Sequence, residues 1–287
     1  MSQLKHILFP VDFSEPCRIF APVVRTVACR AGARVTMLNT LELPSGYYSN
    51  PYAILTFTDI LQSMRHERAD FLNFLRDDFA SLPPVSRISK HGDIAQTIVD
   101  YARHRDVDLI MLPTHGVGLF RRLLLGSVTA KVLHDAECPI WTSAHSTEIS
   151  HAERLRKVLC AVNLRDESVD VMRYAAWLAR MYGTQLRFIN VLAVGESWTV
   201  RSFEAQFVAR MELEARAQMA EVQARAGTPG DATVRSGEIA RCVRREAMEW
   251  EADLIVIGRG VIGEPFGRLR TETYNIIRES SCSVVSV

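Results

Sequence analysis

The sequence predicts an α/β chain built twice over. Two tandem, doubly wound, parallel five-stranded sheets of strand order 3-2-1-4-5, with helices on both faces, are expected to pack as a pseudo-twofold pair. Three observations carry this. The chain repeats itself, each half alternates short apolar runs with amphipathic helical stretches, and 287 residues suit two ordinary cores better than one.

The repeat is read from matched segments. Gly92-Asp93-Ile94-Ala95 recurs as Gly237-Glu238-Ile239-Ala240, and Asp108-Leu109-Ile110 as Asp253-Leu254-Ile255, both at an offset of 145. Near the front, His6-Ile7-Leu8 matches Lys157-Val158-Leu159, while Gly32 and Asn39 match Gly183 and Asn190, at an offset of 151. Cys138 and Cys282 match at 144. The offset changes fall in loop-like stretches, where length changes cost least. Domains over residues 1–145 and 152–287 follow.

Taken in order, residues 7–11 form an apolar strand-like run leading to Asp12. Ser14 then caps a helix with Phe20, Val24, Val27, Ala28 and Ala31 on one face and Gly32 as its stop. Residues 35–40 read as a buried strand. A loop with Tyr47, Tyr48 and Tyr52 precedes a helix expected to run to about Ala80. Residues 85–90 are a strand, and Asp93 caps a helix whose Ile94, Ile98 and Tyr101 share a face. Strand 108–112, helix 127–135 and strand 139–143 complete the half. The second half repeats the order from strand 158–162 to strand 283–287, with a long helix over about 201–226. The apolar last strands, 139–143 and 283–287, are where the halves are expected to meet.

Composition excludes several classes. The 34 basic and 33 acidic side chains leave a net charge of +1, without the basic footprint of a nucleic-acid or anionic-membrane binder. No apolar run reaches the roughly 18 residues of a membrane span, and Met1-Ser2-Gln3-Leu4-Lys5 lacks signal-peptide shape, so a cytoplasmic location is expected. The six cysteines lie singly, with no zinc-ligand spacing, and no metal site is expected.

A doubly wound sheet binds ligands beyond the carboxyl ends of its strands, where the order reverses. In the first half Pro10, Val11 and Asp12, then Thr40, then Leu112-Pro113-Thr114-His115-Gly116, and finally Gly126-Ser127-Val128 converge there. Gly126 lets backbone approach an anion, Ser127 adds a hydroxyl, and the free amides of the following helix supply donors. Arg121 and Arg122 precede it, and Asp12 suits the amino or hydroxyl groups of an adenosine. The same residues also serve as ordinary turn glycines and an N-cap.

The stretch Gly116-(nine residues)-Gly126-Ser127, with Ile7-Leu8-Phe9-Pro10-Val11-Asp12-Phe13-Ser14 and Cys138-Pro139-Ile140, resembles the universal stress protein family, whose nucleotide loop reads G-x2-G-x9-G-[ST]. The resemblance covers essentially both halves. It implies ATP, with or without Mg2+, lined by Asp12, Thr40, Leu112, Gly116, Gly126, Ser127 and Val128, with His115 a loop residue placed to touch the ligand. It implies a regulatory or stress-response role, with slow hydrolysis at most. Pro113 stands at the first motif glycine and lacks an amide donor.

The second half has Asn163 for Asp12 and Arg270 for Gly126, with Gly258-Arg259-Gly260 opening its loop. It is expected to act as a structural partner, not as an ATP site. The alternative is a fold that binds no nucleotide and serves dimerisation or partner contact, either as an intramolecular pair or as a homodimer. An ATPase proper is disfavoured, because G-x4-G-K-[ST] is missing.

Overall fold

The computed structural model describes residues 4–42, 70–80, 82, 85–114, 125–143, 155–193, 202–259 and 271–287. Strand β1 (His6–Pro10) leads into α1 (Glu15–Ala31), followed by β2 (Arg34–Leu41), β3 (Ser86–His91), α2 (Ile94–His104), β4 (Leu109–Leu112), α3 (Ser127–Asp135) and β5 (Ile140–Thr142). The second half runs β6 (Lys157–Ala161), α4 (Ser168–Tyr182), β7 (Gln185–Ala193), α5 (Ser202–Ala226), β8 (Asp231–Gly237), α6 (Ile239–Glu249), β9 (Leu254–Ile257), α7 (Thr271–Glu279) and β10 (Ser283–Ser286).

Local chemistry sets the helix ends. Gly32 and Gly183 close α1 and α4 in the left-handed region, at φ +64° and +67°, where a Cβ would be strained. Asp93 caps α2 by accepting from the Gln96 amide at 2.8 Å, and Glu238 caps α6 by accepting from Ala240 and Arg241. Asp108 accepts from the amides of Lys5 and His6, both at 2.9 Å, and Asp253 does the same for Arg156 and Lys157. The repeat thus preserves polar fastenings as well as apolar faces.

The helix expected to reach Ala80 stops early. Residues 70–73 are helical and 74–80 form turns, because Leu75 takes φ +55°, which a right-handed helix cannot continue through. The tyrosine loop before it lies outside the described residues.

The ten strands among the described residues join one sheet, in the order β3-β2-β1-β4-β5-β10-β9-β6-β7-β8. Each half keeps the expected order with parallel neighbours. The halves meet in one antiparallel pair, β5 with β10. Its register places Trp141 opposite Val285, flanked by Thr142 opposite Val284 and Ile140 opposite Ser286. Trp141 and Val285 are also equivalent under the 144-residue offset, so the pseudo-twofold axis passes beside that pair. Fusing two apolar edge strands removes both exposed edges at once. The Thr142 hydroxyl adds a bond to the Val284 carbonyl at 3.2 Å.

Side chains alternate across the sheet into two apolar layers. Ile7, Phe9, Met37, Trp141 and Val256 face α1, α4 and α5. Leu8, Leu38, Ile110, Ile140 and Ile255 face α2, α3, α6 and α7.

Candidate functional site

The first-half site is built where β1, β2 and β4 end. Pro10 closes β1, and Val11 uses both its backbone groups internally. Its amide donates to Leu38 at 2.9 Å, and its carbonyl accepts from the Asn39 side chain at 3.0 Å. The chain then turns on Asp12. One carboxylate oxygen, Oδ1, accepts from the Ser14 amide at 3.1 Å, the Ser14 hydroxyl at 2.5 Å and the Cys17 thiol at 3.0 Å. The second oxygen has no hydrogen-bond partner among the described residues, and Asp12 is exposed. Burial, reinforced by the Asp12 carboxylate, pushes the Cys17 thiol up to about 12, so it stays protonated and holds the turn.

Phe13, the next residue, adopts φ +60°, an uncommon left-handed conformation for a bulky side chain. Its rings neighbours are Phe71 and Phe74, which fix it in place.

Thr40, near the end of β2, presents a buried hydroxyl oxygen with no hydrogen-bond partner among the described residues. Such an atom carries an uncompensated desolvation cost unless something meets it.

The third wall is the start of α3. The Gly126 amide donates to the Thr114 carbonyl at 3.0 Å, and the Thr129 hydroxyl to the Pro113 carbonyl at 3.2 Å, seating the helix over the end of β4 just past buried Leu112. Gly126 is the N-cap and offers no side chain to the first amides, while Ser127 is exposed and Val128 half-buried. Its φ of −59° does not require glycine, and a Cβ there would meet nothing closer than the Thr114 carbonyl at 3.4 Å. The fold therefore tolerates a side chain at this position, and its bareness leaves the amino end of α3 open.

Pro10, Val11, Asp12, Thr40, Leu112, Gly126, Ser127 and Val128 thus all lie at one edge of the sheet. His115, Gly116, Arg121 and Arg122 lie outside the described residues.

The universal stress protein family model matches residues 3–143 and again 154–287. This chain belongs to that family. A universal stress protein of Thermus aquaticus is 29% identical over 136 residues, which is 47% of this chain and 96% of that one. A universal stress protein of Archaeoglobus fulgidus has a crystal structure with the same fold. It superposes at a TM-score of 0.69 and 20% identity, covering 99% of this chain and 96% of that one. A putative universal stress protein from Pseudomonas aeruginosa gives 0.66 at 16% identity, covering 99% and 93%.

In this tandem universal stress protein the second half copies the scaffold and changes the chemistry. Asn163 rebuilds the Asp12 turn, its Oδ1 accepting from the Arg165 amide at 3.1 Å and the Ser168 hydroxyl at 2.9 Å, with Leu164 at φ +60°. The amide of Asn190 repeats the Asn39 bond, to Val162 at 2.9 Å. Thr273 repeats Thr129, donating to the Gly258 carbonyl at 3.2 Å. Arg270 and Gly260 lie outside the described residues.

Sequence reasoning missed Arg259. This side chain is fully buried and crosses the seam. One guanidinium nitrogen, Nη1, donates to the carbonyls of Leu133 at 3.2 Å and Ala136 at 3.1 Å, and Nη2 to Cys138 at 2.6 Å. The second half's loop therefore clamps the carboxyl end of α3, the helix whose amino end forms the first-half site. A cation there also complements the helix dipole. No local pattern marks such a residue, since its partners lie more than a hundred positions away.

Proposed function

We propose that this universal stress protein binds ATP in its first half, residues 1–145, in the cytoplasm, and plays a regulatory rather than an efficiently catalytic part. The observation that carries this reading is the bare amino end of α3 at Gly126, a glycine that neither backbone angle nor packing demands. Two further groups support it. The orphaned Thr40 hydroxyl suits a ribose or base, and the second oxygen of Asp12 suits an adenosine donor.

In this reading the amides of Ser127 and Val128, with the Ser127 hydroxyl, hold the phosphates. Among the described residues no group of three or more His, Cys, Asp or Glu side chains is placed to cage a metal ion, so any Mg2+ would be held chiefly by the phosphates themselves. No lysine of a Walker loop is present to act on the β- and γ-phosphates. The second half, residues 152–287, serves as the partner that fixes α3 through Arg259.

The test is ligand release by heating the purified protein, with chromatographic identification, beside a thermal-shift titration with ATP. Saturation at about 100 times Kd should add roughly 2.7 kcal/mol. Gly126→Ala should cost the free protein about 1 kcal/mol or less and weaken ATP at least about tenfold. No retained nucleotide together with no shift at millimolar ATP overturns the proposal, and favours the reading of Pro113 as the mark of a pure interaction module.

A further inference from the structure

The pseudo-twofold mate of the first-half site is a cavity of about 360 Å³ at the carboxyl ends of β6, β7 and β9. Its volume lies within the range of small-molecule pockets, roughly 300–1,000 Å³. The walls are mostly aliphatic, including Val162, Val171, Ile189, Val191, Ile257 and Ile276, and the charged side chains in the lining are Arg165, Glu167 and Glu272. Into this surface the second residue of α7 brings a carboxylate, Glu272, in the place that Val128 holds in α3.

Glu272 is not an ordinary first-turn acid. An exposed carboxylate at a helix amino end interacts favourably with the dipole and free amides. Here the Oε2 atom is buried and accepts no hydrogen bond among the described residues. Burial first, then the carboxylates of Glu238 and Glu279, push its carboxyl above the ordinary value. A carboxyl group therefore stands where the first half offers bare amides, which disfavours a phosphate at that position. A buried acceptor without a donor, set in an aliphatic wall, is complementary to an apolar molecule bearing a positively charged or N–H-rich head.

We infer that the second-half cavity is a separate ligand site, selective for small phosphate-free organic amines whose ammonium group meets Glu272 and whose apolar body fills the aliphatic pocket. The two halves of the chain thus read different ligands with one scaffold. The inference does not depend on ATP binding in the first half.

The test is calorimetric titration of the full chain with 2-phenylethylamine, its neutral analogue 2-phenylethanol and its anionic analogue phenylacetate. The wild-type protein should bind the amine at least about tenfold more tightly than either analogue. Glu272→Gln, nearly isosteric, should erase that preference while leaving any ATP-induced thermal shift unchanged. Val191→Phe, which narrows the cavity from a half-buried strand position, should weaken the amine and the alcohol alike. Three results overturn the inference. They are equal affinity for amine and alcohol, an unchanged preference in Glu272→Gln, or no amine binding at millimolar concentration by a protein whose circular dichroism is native. Loss of the ATP shift with amine binding intact would sink the nucleotide proposal alone.

Discussion

Arg259→Met removes the guanidinium but keeps most of the aliphatic stem, and so isolates the clamp across the seam. The wild-type side chain satisfies three carbonyls, those of Leu133, Ala136 and Cys138, at 2.6–3.2 Å in a fully buried setting. Each carbonyl left without its donor costs about 1–3 kcal/mol. Taking the low end for all three, because the backbone can relax around a thioether, gives a loss of about 3 kcal/mol. At 2–4 °C per kcal/mol for chains of this size, Tm should fall by roughly 6–12 °C. Differential scanning calorimetry and urea unfolding read the change directly. Arg259→Lys should recover only part of it, since one ammonium cannot fork between Ala136 and Cys138. Because α3 is held from its carboxyl end, the same variant should also bind ATP several-fold more weakly. A loss below about 1 kcal/mol, or full rescue by lysine, would refute the clamp.

Three further outcomes are expected. Trp141→Ala empties the fully buried centre of the seam and should cost about 3–5 kcal/mol, splitting the calorimetric transition so that the halves unfold separately; a single unshifted transition would contradict the seam. His6 is buried, with Nε2 at 2.9 Å from the Thr36 hydroxyl, and burial holds its pKa below the ordinary 6.5. The unfolded chain therefore binds that proton more readily, so urea stability should be full above pH about 6.5 and decline as pH falls from there through the folded-state pKa, and His6→Gln should lack that component. Alkylation by iodoacetamide at pH 8, read by mass spectrometry, should label exposed Cys29 and spare Cys17, whose thiol is held up to about 12; rapid native labelling of Cys17 would show that the Asp12 turn opens.

Much of the architecture was legible because local signals and the repeat agreed. Gly32 and Asp93 bounded helices by their own chemistry, Ser14 holds the N-cap position of α1 while its hydroxyl goes to Asp12 and not to the helix amides, and apolar runs located the strands to within a residue or so. Leu75 was not legible, since a leucine gives no warning of a left-handed φ. At the site, the sequence placed Asp12, Thr40 and Gly126 at one edge of the sheet but could not divide their atoms. Oδ1 of Asp12 is consumed by its own turn and the side-chain amide of Asn39 secures Val11, while the second oxygen of Asp12 and the hydroxyl of Thr40 are left without partners among the described residues.

The duplicated α/β design, the strand order within each half and the loss of the phosphate-loop glycine in the second are readable from residues alone, because they rest on periodicity, capping and residue identity at matched positions. It took the folded chain to show that the two sheets fuse about Trp141 and Val285, that Arg259 reaches across to hold α3, and that one oxygen of Glu272 is buried beside an aliphatic cavity with no hydrogen bond among the described residues. Those facts depend on which groups meet after the chain has closed on itself, and the free energy of a buried charge or an orphaned acceptor is set by its neighbours in space, not in sequence.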